Sequence, residues 1–259
     1  MSPAGVAEPS LYYLTATLAV LLAGFSKASA AGGIGLLAVP LMAIAIAPQQ
    51  AAAIMLPILC ALDLLGIWAY RRELDARLLG RLIPGALIGI LVGALVFKTL
   101  DVRWVKGLLG VECLVFALHR IVSRRRGGRP PVGSDSTGRA LLWSGVSGFT
   151  STIAHAGGPP LLQYLLPLRI AKLTLVATTA YFFAVVNYVK LVPYGLLGLL
   201  DSANLGASLL LAPVVPVGYW IGLRFIRRIP ERAFLVFIDL SLLATGTKLV
   251  WDAVTPGVG

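Results

Sequence analysis

The chain has 259 residues, of which 58% are hydrophobic and only 13% are charged, whereas an ordinary soluble domain is about a quarter charged. A soluble protein of this size needs more polar residues to cover its surface, so the composition excludes that class and indicates an integral membrane protein. The formal net charge of +11 does not indicate nucleic-acid binding, because the basic residues lie mostly in short connections between apolar segments, where they set membrane orientation.

Ten apolar segments follow one another along the chain and predict an all-α polytopic membrane protein. They lie at 11–25, 33–47, 50–70, 78–97 and 104–122, and then at 140–154, 158–168, 173–197, 203–223 and 233–251. Residues 123–139 are basic and rich in proline and glycine, as expected of a surface linker. We therefore divide the chain into a first transmembrane repeat (1–122), a basic cytoplasmic linker (123–139) and a second transmembrane repeat (140–259).

The two halves share a pattern of small residues, which indicates an internal duplication. The spacing of the shared residues is nearly the same in each half, and three groups match in the same order. The matching residues are Gly24 with Gly148, Gly32–Gly33 with Gly157–Gly158, Pro84 with Pro213, Gly89 with Gly218, and Gly93 with Gly222.

The basic connections do not match in this way. The connection from Arg71 to Arg81 is basic, but its counterpart near Asp201 has no lysine or arginine. Conversely, the connection 169–172 is basic and its counterpart 48–50 is uncharged. If basic connections lie in the cytoplasm, equivalent connections face opposite sides of the membrane. We therefore expect inverted repeats with both chain termini outside.

Each repeat opens with two short apolar segments around a break rich in glycine, serine and alanine. The pattern predicts a helical hairpin, either re-entrant or fully spanning, followed by three transmembrane helices. Non-helical backbone at membrane depth is tolerated only where protein or water satisfies it. Paired interruptions at matching positions are a good sequence indicator of a transporter's binding site.

The tips of the two hairpins supply most of the candidate substrate-binding residues. Lys27 gives the first tip a positive charge, and open backbone N–H groups at such breaks bind anions. His155 in the second tip can donate to an anion or take up a proton. The candidates are Ser26, Lys27, Ser29, Gly32 and Gly33 at the first tip, and Thr150, Ser151, Thr152, His155, Gly157 and Gly158 at the second.

Three further polar residues lie inside apolar segments. Asn187 and Lys190 are three residues apart on one helical face and complete the candidate site, although Lys190 could alternatively lie near the membrane surface. Asp63 occupies the position equivalent to Asn187 and needs a partner, for which Lys27 and Lys190 are both available. Asp63 and His155 are also the candidates for proton coupling.

The chain resembles the TauE/SafE sulfite-exporter family in the residues just described. The resemblance is carried by GFSKASAAGGIGLLAVPLM (24–42), QQAAAIMLPILCALDLLGIWAYRR (49–72), GFTSTIAHAGGPPLLQYLLP (148–167) and TTAYFFAVVNYVKLVPY (178–194). It implies a transporter of about eight spans with duplicated halves, whose cargo is sulfite or another sulfur-containing anion. Ala28, Ser29, Ala30 and Ala31 stand where many members of the family have further glycines.

Taken together, the residues and the resemblance predict a secondary transporter and exporter of a small anion in the inner membrane, without a cofactor or metal and without enzymatic activity. One alternative is a cation or metal carrier that uses Asp63, Glu112 and Asp239, and another is an anion channel. For Glu112 and Asp239, structural pairing with Lys106, His119 or Lys248 is the favoured interpretation. The expected partners are the small anion and the lipid bilayer, and the sequence leaves the oligomeric state open.

Overall fold

The computed structural model describes residues 9–29, 34–42, 45–97, 102–125 and 136–255, and all of their regular secondary structure is helical. This confirms the predicted all-α class. In the first half the helices are α1 (Pro9–Ser29), α2 (Ala38–Met42, after a 3-10 turn at Ile34–Leu37), α3 (Pro48–Ala69), α4 (Ala76–Val96) and α5 (Val102–Arg125). In the second half they are α6 (Thr137–Ala154), α7 (Gly158–Leu165, before a 3-10 turn at Leu166–Leu168), α8 (Lys172–Leu196), α9 (Ser202–Leu211), α10 (Val214–Arg228) and α11 (Glu231–Val254).

Within the described residues, five helices are long and apolar enough to cross a membrane, namely α1, α3, α4, α8 and α11. The bent pair α9–α10 makes a sixth if it is counted as one span. Large apolar side chains such as Leu95, Trp104 and Leu209 are exposed, which suits contact with lipid and not with water. The chain is therefore a multi-pass membrane protein.

Three helices begin where a side chain caps the first free backbone N–H groups. The Asp75 carboxylate accepts from the N–H of Leu78, the Ser136 hydroxyl from that of Arg139, and the Asp201 carboxylate from that of Asn204. Such caps are favoured because the first turn of a helix has no internal acceptors for these groups. Helix α5 continues to Arg125, so the first residues of the predicted linker are helical, and its central part, 126–135, lies outside the described residues.

The first hairpin has unequal arms, which differs from the prediction of two short arms, 11–25 and 33–47, with a break from Ser26 to Gly32 between them. Helix α1 continues through Ser26 and Lys27 to Ser29 and is 21 residues long. Polar residues are tolerated there because the Ser29 hydroxyl donates to the carbonyl of Phe25 at 2.7 Å and so needs no other partner. The second arm is short, since α2 has only five residues. The second hairpin is similar, with 18 residues in α6 and eight in α7.

The segment predicted at 203–223 consists of two helices. α9 ends at Leu211 and α10 begins at Val214, and the two axes are bent by 49°. Pro213 lies at this bend, where proline removes a backbone donor and its ring crowds the preceding turn.

Helices from different halves pack closely through glycine. α4 packs on α6, and the equivalent helix of the second half, α10, packs on α1. A Cβ atom on Gly89 would lie 2.0 Å from the Gly145 carbonyl oxygen, and one on Gly218 would lie 2.8 Å from the Leu21 carbonyl oxygen. The matching small residues Gly89 and Gly93 of α4, and Gly218 and Gly222 of α10, therefore serve helix packing and make similar contacts in the two halves.

The orientation of α3 and α8 supports the expected inversion, which remains a prediction. The Tyr188 hydroxyl reaches the Cys60 carbonyl and the Tyr181 hydroxyl reaches the Ile67 carbonyl, so these equivalent helices run antiparallel. The Lys172 ammonium donates to the carbonyls of Ile226 and Ile229 at 2.9 and 2.8 Å. The basic connection 169–172 is thus adjacent to the end of α10, whose last turn carries Arg227 and Arg228.

Substitution of Gly89 tests the packing of α4 on α6. Gly89→Ala should lower the free energy of unfolding by about 1–3 kcal/mol, because the new methyl group would clash with backbone that cannot move easily. Gly80→Ala is the matched control in the same helix, since no atom lies within 4 Å of its added Cβ. It should be neutral or stabilising by up to about 1 kcal/mol. Thermal unfolding in detergent measures both, and equal melting temperatures would contradict the packing role.

Cysteine labelling tests the inverted topology. Ser202→Cys, at the exposed first residue of α9, should react with a membrane-impermeant maleimide added to intact cells. Arg72→Cys, in the connection after α3, should react only after the cells are permeabilised. The native Cys60 and Cys113 are both buried, so the unmodified chain serves as the background control. Labelling of both positions from the same side would refute the inversion.

Candidate functional site

A cavity of about 80 Å³ lies between the two hairpins and helices α3 and α8. One part of its wall is polar and contains residues predicted from both hairpin tips. The remainder is apolar, which lowers the local dielectric around any charged group that enters. The polar lining side chains are Ser26, Lys27, Ser151, His155, Thr179 and Asn187, and the other lining residues are Ala23, Gly35, Ala38, Val39, Met55, Leu59, Gly158, Ala180 and Phe183.

Asp63 joins three helices at this cavity. Its Oδ1 accepts a hydrogen bond from the Lys27 ammonium at 2.5 Å, and its Oδ2 accepts one from the Asn187 amide at 2.6 Å. The Asp63 side chain is fully buried and that of Lys27 is 16% exposed. Of the two lysines considered as partners of Asp63, Lys27 is therefore the one that forms the ion pair. The Lys27 ammonium also lies 5.0 Å from the centre of the Phe183 ring.

Lys190 is fully buried within the protein. Its ammonium donates to the carbonyl and the hydroxyl of Ser151 at 3.0 and 3.1 Å, and to Nδ1 of His155 at 3.2 Å. All three acceptors are neutral, and no carboxylate lies within ion-pair distance of Lys190 among the described residues. A buried ammonium of this kind is costly, which is typical of functional sites.

His155 ends α6 and turns the chain into the second hairpin tip. Its φ of 50° lies in the left-handed region, and its N–H donates to the Ser151 carbonyl at 3.1 Å. Because an ammonium has no acceptor, Nδ1 must accept from Lys190, and in the neutral imidazole Nε2 then carries the proton. Nε2 lies 3.1 Å from the Tyr194 hydroxyl, which in turn donates to the Thr152 carbonyl at 3.3 Å.

The charges near the cavity do not balance. With both lysines protonated, Lys27 and Lys190 contribute two positive charges and Asp63 contributes one negative charge. In that protonation state the described part of the site has an excess of one positive charge in a low-dielectric environment, which would stabilise a bound anion.

Several predicted site residues shape the tips instead of lining the cavity. The hydroxyls of Thr150 and Thr152 donate to the carbonyls of Val146 and Gly148 at 2.8 and 2.9 Å. The hydroxyl of Ser147 donates to the Gly157 carbonyl at 2.6 Å, which holds the tip closed. The predicted residues in this structural group are Ser29, Thr150, Thr152 and Gly157, whereas Gly32 and Gly33 lie outside the described residues.

Ser26 both lines the cavity and holds the first tip. Its hydroxyl accepts from the backbone N–H of Gly35 at 3.0 Å and so connects the end of α1 to the start of the second arm. A Cβ atom on Gly35 would lie 2.8 Å from that hydroxyl oxygen, which is closer than side chains pack. The glycine therefore permits the close approach of the two arms.

Asp239 lies away from the cavity. It accepts a hydrogen bond from Nε of Arg120 at 2.8 Å, and this buried ion pair joins α5 to α11. Among the described contacts its partner is Arg120, which was not considered from the sequence, and Lys248 pairs with Asp252. The side chain of Glu112 lies outside the described residues.

Three residues that contribute to the site were not selected from the sequence. Phe183 and Thr179 line the cavity from α8, and Tyr194 contacts His155. Phe183 and Thr179 lie four and eight residues before Asn187, so helical periodicity from Asn187 would have identified both. Tyr194 follows Lys190 at the same spacing.

The family model described as sulfite exporter TauE/SafE matches residues 16–249 of this chain. The match begins within α1 and ends within α11, and it includes both hairpins and all the residues that line the cavity. Neither a curated protein sequence nor a solved structure gives a significant match.

A double-mutant cycle tests the ion pair between Lys27 and Asp63. Lys27→Met should lower the free energy of unfolding by about 3–5 kcal/mol, because it leaves a buried carboxylate without its counter-charge. Adding Asp63→Asn should restore most of that loss, since the remaining pair is neutral. Chemical or thermal unfolding in detergent gives the coupling energy.

The control for this cycle is the pair Lys248–Asp252, which lies within one helix and has a lysine side chain 35% exposed. Lys248→Met should change stability by no more than about 0.5 kcal/mol. If Lys27→Met lowered the free energy of unfolding as little as Lys248→Met does, the buried ion pair would not have the assigned role. The same would follow if the loss in the double variant equalled the sum of the losses in the two single variants.

Proposed function

The chain belongs to the sulfite exporter TauE/SafE family, and we propose that it is a secondary transporter that exports a sulfur oxyanion or a small organosulfonate such as sulfite. The observation that carries this proposal is the charge of the cavity. Two lysine side chains, the buried Lys190 and the largely buried Lys27, lie at or beside the cavity with a single carboxylate, that of Asp63, which pairs with Lys27. The proposed location is the inner membrane, with the basic connections in the cytoplasm.

Substrate recognition follows from the polar wall of the cavity. Lys27 supplies the charge, and the hydroxyls of Ser26 and Ser151 and the amide of Asn187 are neutral groups suited to oxygen atoms of the anion. The apolar part of the wall strengthens these interactions by excluding water. Lys190 does not line the cavity, but it is hydrogen-bonded to the lining residue Ser151, and its positive charge would attract the anion from there.

Asp63 provides a reason for weak and reversible binding. In the empty site the Asp63 carboxylate pairs with the Lys27 ammonium, so an incoming anion competes with this carboxylate for the lysine. A transporter needs this balance, because an anion held by two unpaired lysines would be released slowly. Alternating access would follow from movement of one half, with its hairpin, against the other.

His155 is our leading candidate for proton coupling, with Asp63 as the second. Protonation of Nδ1 would replace the acceptor of Lys190 with a donor and break that hydrogen bond. The Lys190 ammonium would then be drawn towards the cavity and its anion. Proton uptake and anion binding would thus favour one another, as reciprocal linkage requires.

The contacts of the carboxylates favour an anion over the alternative cation or metal cargo. Asp63 is engaged by Lys27, and Asp239 by Arg120, so neither is available to a cation without separation of an ion pair. A cation would also experience the positive charge of Lys190. The channel alternative predicts unitary currents, whereas a carrier predicts slow and saturable exchange.

Ligand-dependent thermal stability tests the anion site. Sulfite, thiosulfate or sulfoacetate should raise the melting temperature of the purified protein, because a ligand that binds only the folded state stabilises it. Acetate and divalent cations should not. Lys27→Met combined with Asp63→Asn should weaken binding about tenfold or more while keeping the remaining pair neutral.

The matched control is Lys248→Met. This lysine does not line the cavity and pairs with Asp252, so its removal should leave anion affinity unchanged. Uptake of the same anion into proteoliposomes should follow the binding data. Stabilisation by a divalent cation alone, or wild-type anion affinity in the Lys27–Asp63 double variant, would overturn the proposal.

A further inference from the structure

We propose that Thr179 is a substrate-binding residue, whose hydroxyl contacts a second oxygen of the anion that Lys27 holds. The inference rests on the proposed function and adds to it a residue that determines specificity for oxyanions. Thr179 lies on α8, is 8% exposed, and lines the cavity.

The hydroxyl of Thr179 has no hydrogen-bond partner among the described residues. This is unusual for a threonine within a helix, because its hydroxyl can donate to the carbonyl four residues earlier. Other threonines of this chain do so: Thr15, Thr150, Thr152 and Thr247 reach the carbonyls of Leu11, Val146, Gly148 and Leu243 at 2.8 to 2.9 Å. Thr179 has the same local option and does not use it.

A buried hydroxyl without a partner is destabilising, and at a cavity wall a bound ligand can supply the missing partner. The neighbouring Thr178 is equally unpartnered and fully buried, but it does not line the cavity. Thr178 is therefore the control: its hydroxyl is also unpaired, and only Thr179 lies at the wall of the cavity.

The position of Thr179 relative to Lys27 defines the kind of ligand. Phe183, over which the Lys27 ammonium lies at 5.0 Å, is one helical turn after Thr179 on the same face of α8. The four residues from Thr179 to Phe183 rise about 6 Å along the helix axis. A polyatomic oxyanion can present one oxygen to Lys27 and another to Thr179. A monatomic halide offers a single acceptor atom, which suits two separate donors less well.

The test compares Thr179→Val, which has the same shape but no hydroxyl, with Thr179→Ser and with Thr178→Val. Sulfite and chloride affinities are measured by calorimetry on the detergent-purified full chain, together with the melting temperature without ligand. Thr179→Val should weaken sulfite binding about tenfold and leave chloride binding unchanged. Thr179→Ser should retain sulfite affinity within about threefold, and Thr178→Val should match the wild type.

Without ligand, both valine variants should melt at or above the wild-type temperature, because each removes an unpaired buried hydroxyl. Wild-type sulfite affinity in Thr179→Val would overturn this inference alone and leave the proposed function intact. Equal losses of sulfite and chloride affinity would also overturn it, since they would indicate a general distortion of the cavity. Absence of any oxyanion binding by the wild-type chain would instead remove the proposed function, and the inference with it.

Discussion

The arrangement of the site depends on a single buried carboxylate. Asp63 accepts from Lys27 of the first hairpin through one oxygen and from Asn187 of the second half through the other. An isolated carboxylate would be very costly at this depth, so the helices must keep both donors in place. The same contacts fix where the lysine can reach, and hence where an anion can bind. Stability and binding therefore depend on the same few atoms.

Close packing of the helices makes this geometry possible. Glycine carbonyls and Cα atoms of α4 and α10 lie directly against the first helices of the opposite hairpins, with no room for a side chain between them. Each hairpin is thus held mainly by the half to which it does not belong. Such interlocking brings the two tips together around one cavity, and it lets a displacement of either half move the opposite hairpin.

The sequence allowed the helices and the charged residues of the site to be predicted, because long apolar runs and rare buried charges are strong signals. The end of α1 was missed, since Ser26 and Lys27 resemble residues of a break until the partner of the lysine, Asp63 in another helix, is known. The sequence also could not show that the Thr150 hydroxyl bonds a carbonyl of its own helix whereas the Thr179 hydroxyl does not. Whether a threonine hydroxyl bonds its own helix depends on its rotamer and its neighbours, which local sequence does not encode.

The two lysines come from non-equivalent positions of the predicted duplication. Aligning Gly24 with Gly148 puts Ser151 opposite Lys27, and the ammonium beside the second tip comes instead from Lys190 in α8. Two identical inverted halves would give inward-open and outward-open forms of equal free energy. The lysine positions remove that degeneracy. On the proposed mechanism, the empty carrier therefore has a preferred resting orientation, and the side from which it first captures an anion is encoded in the divergence of its halves.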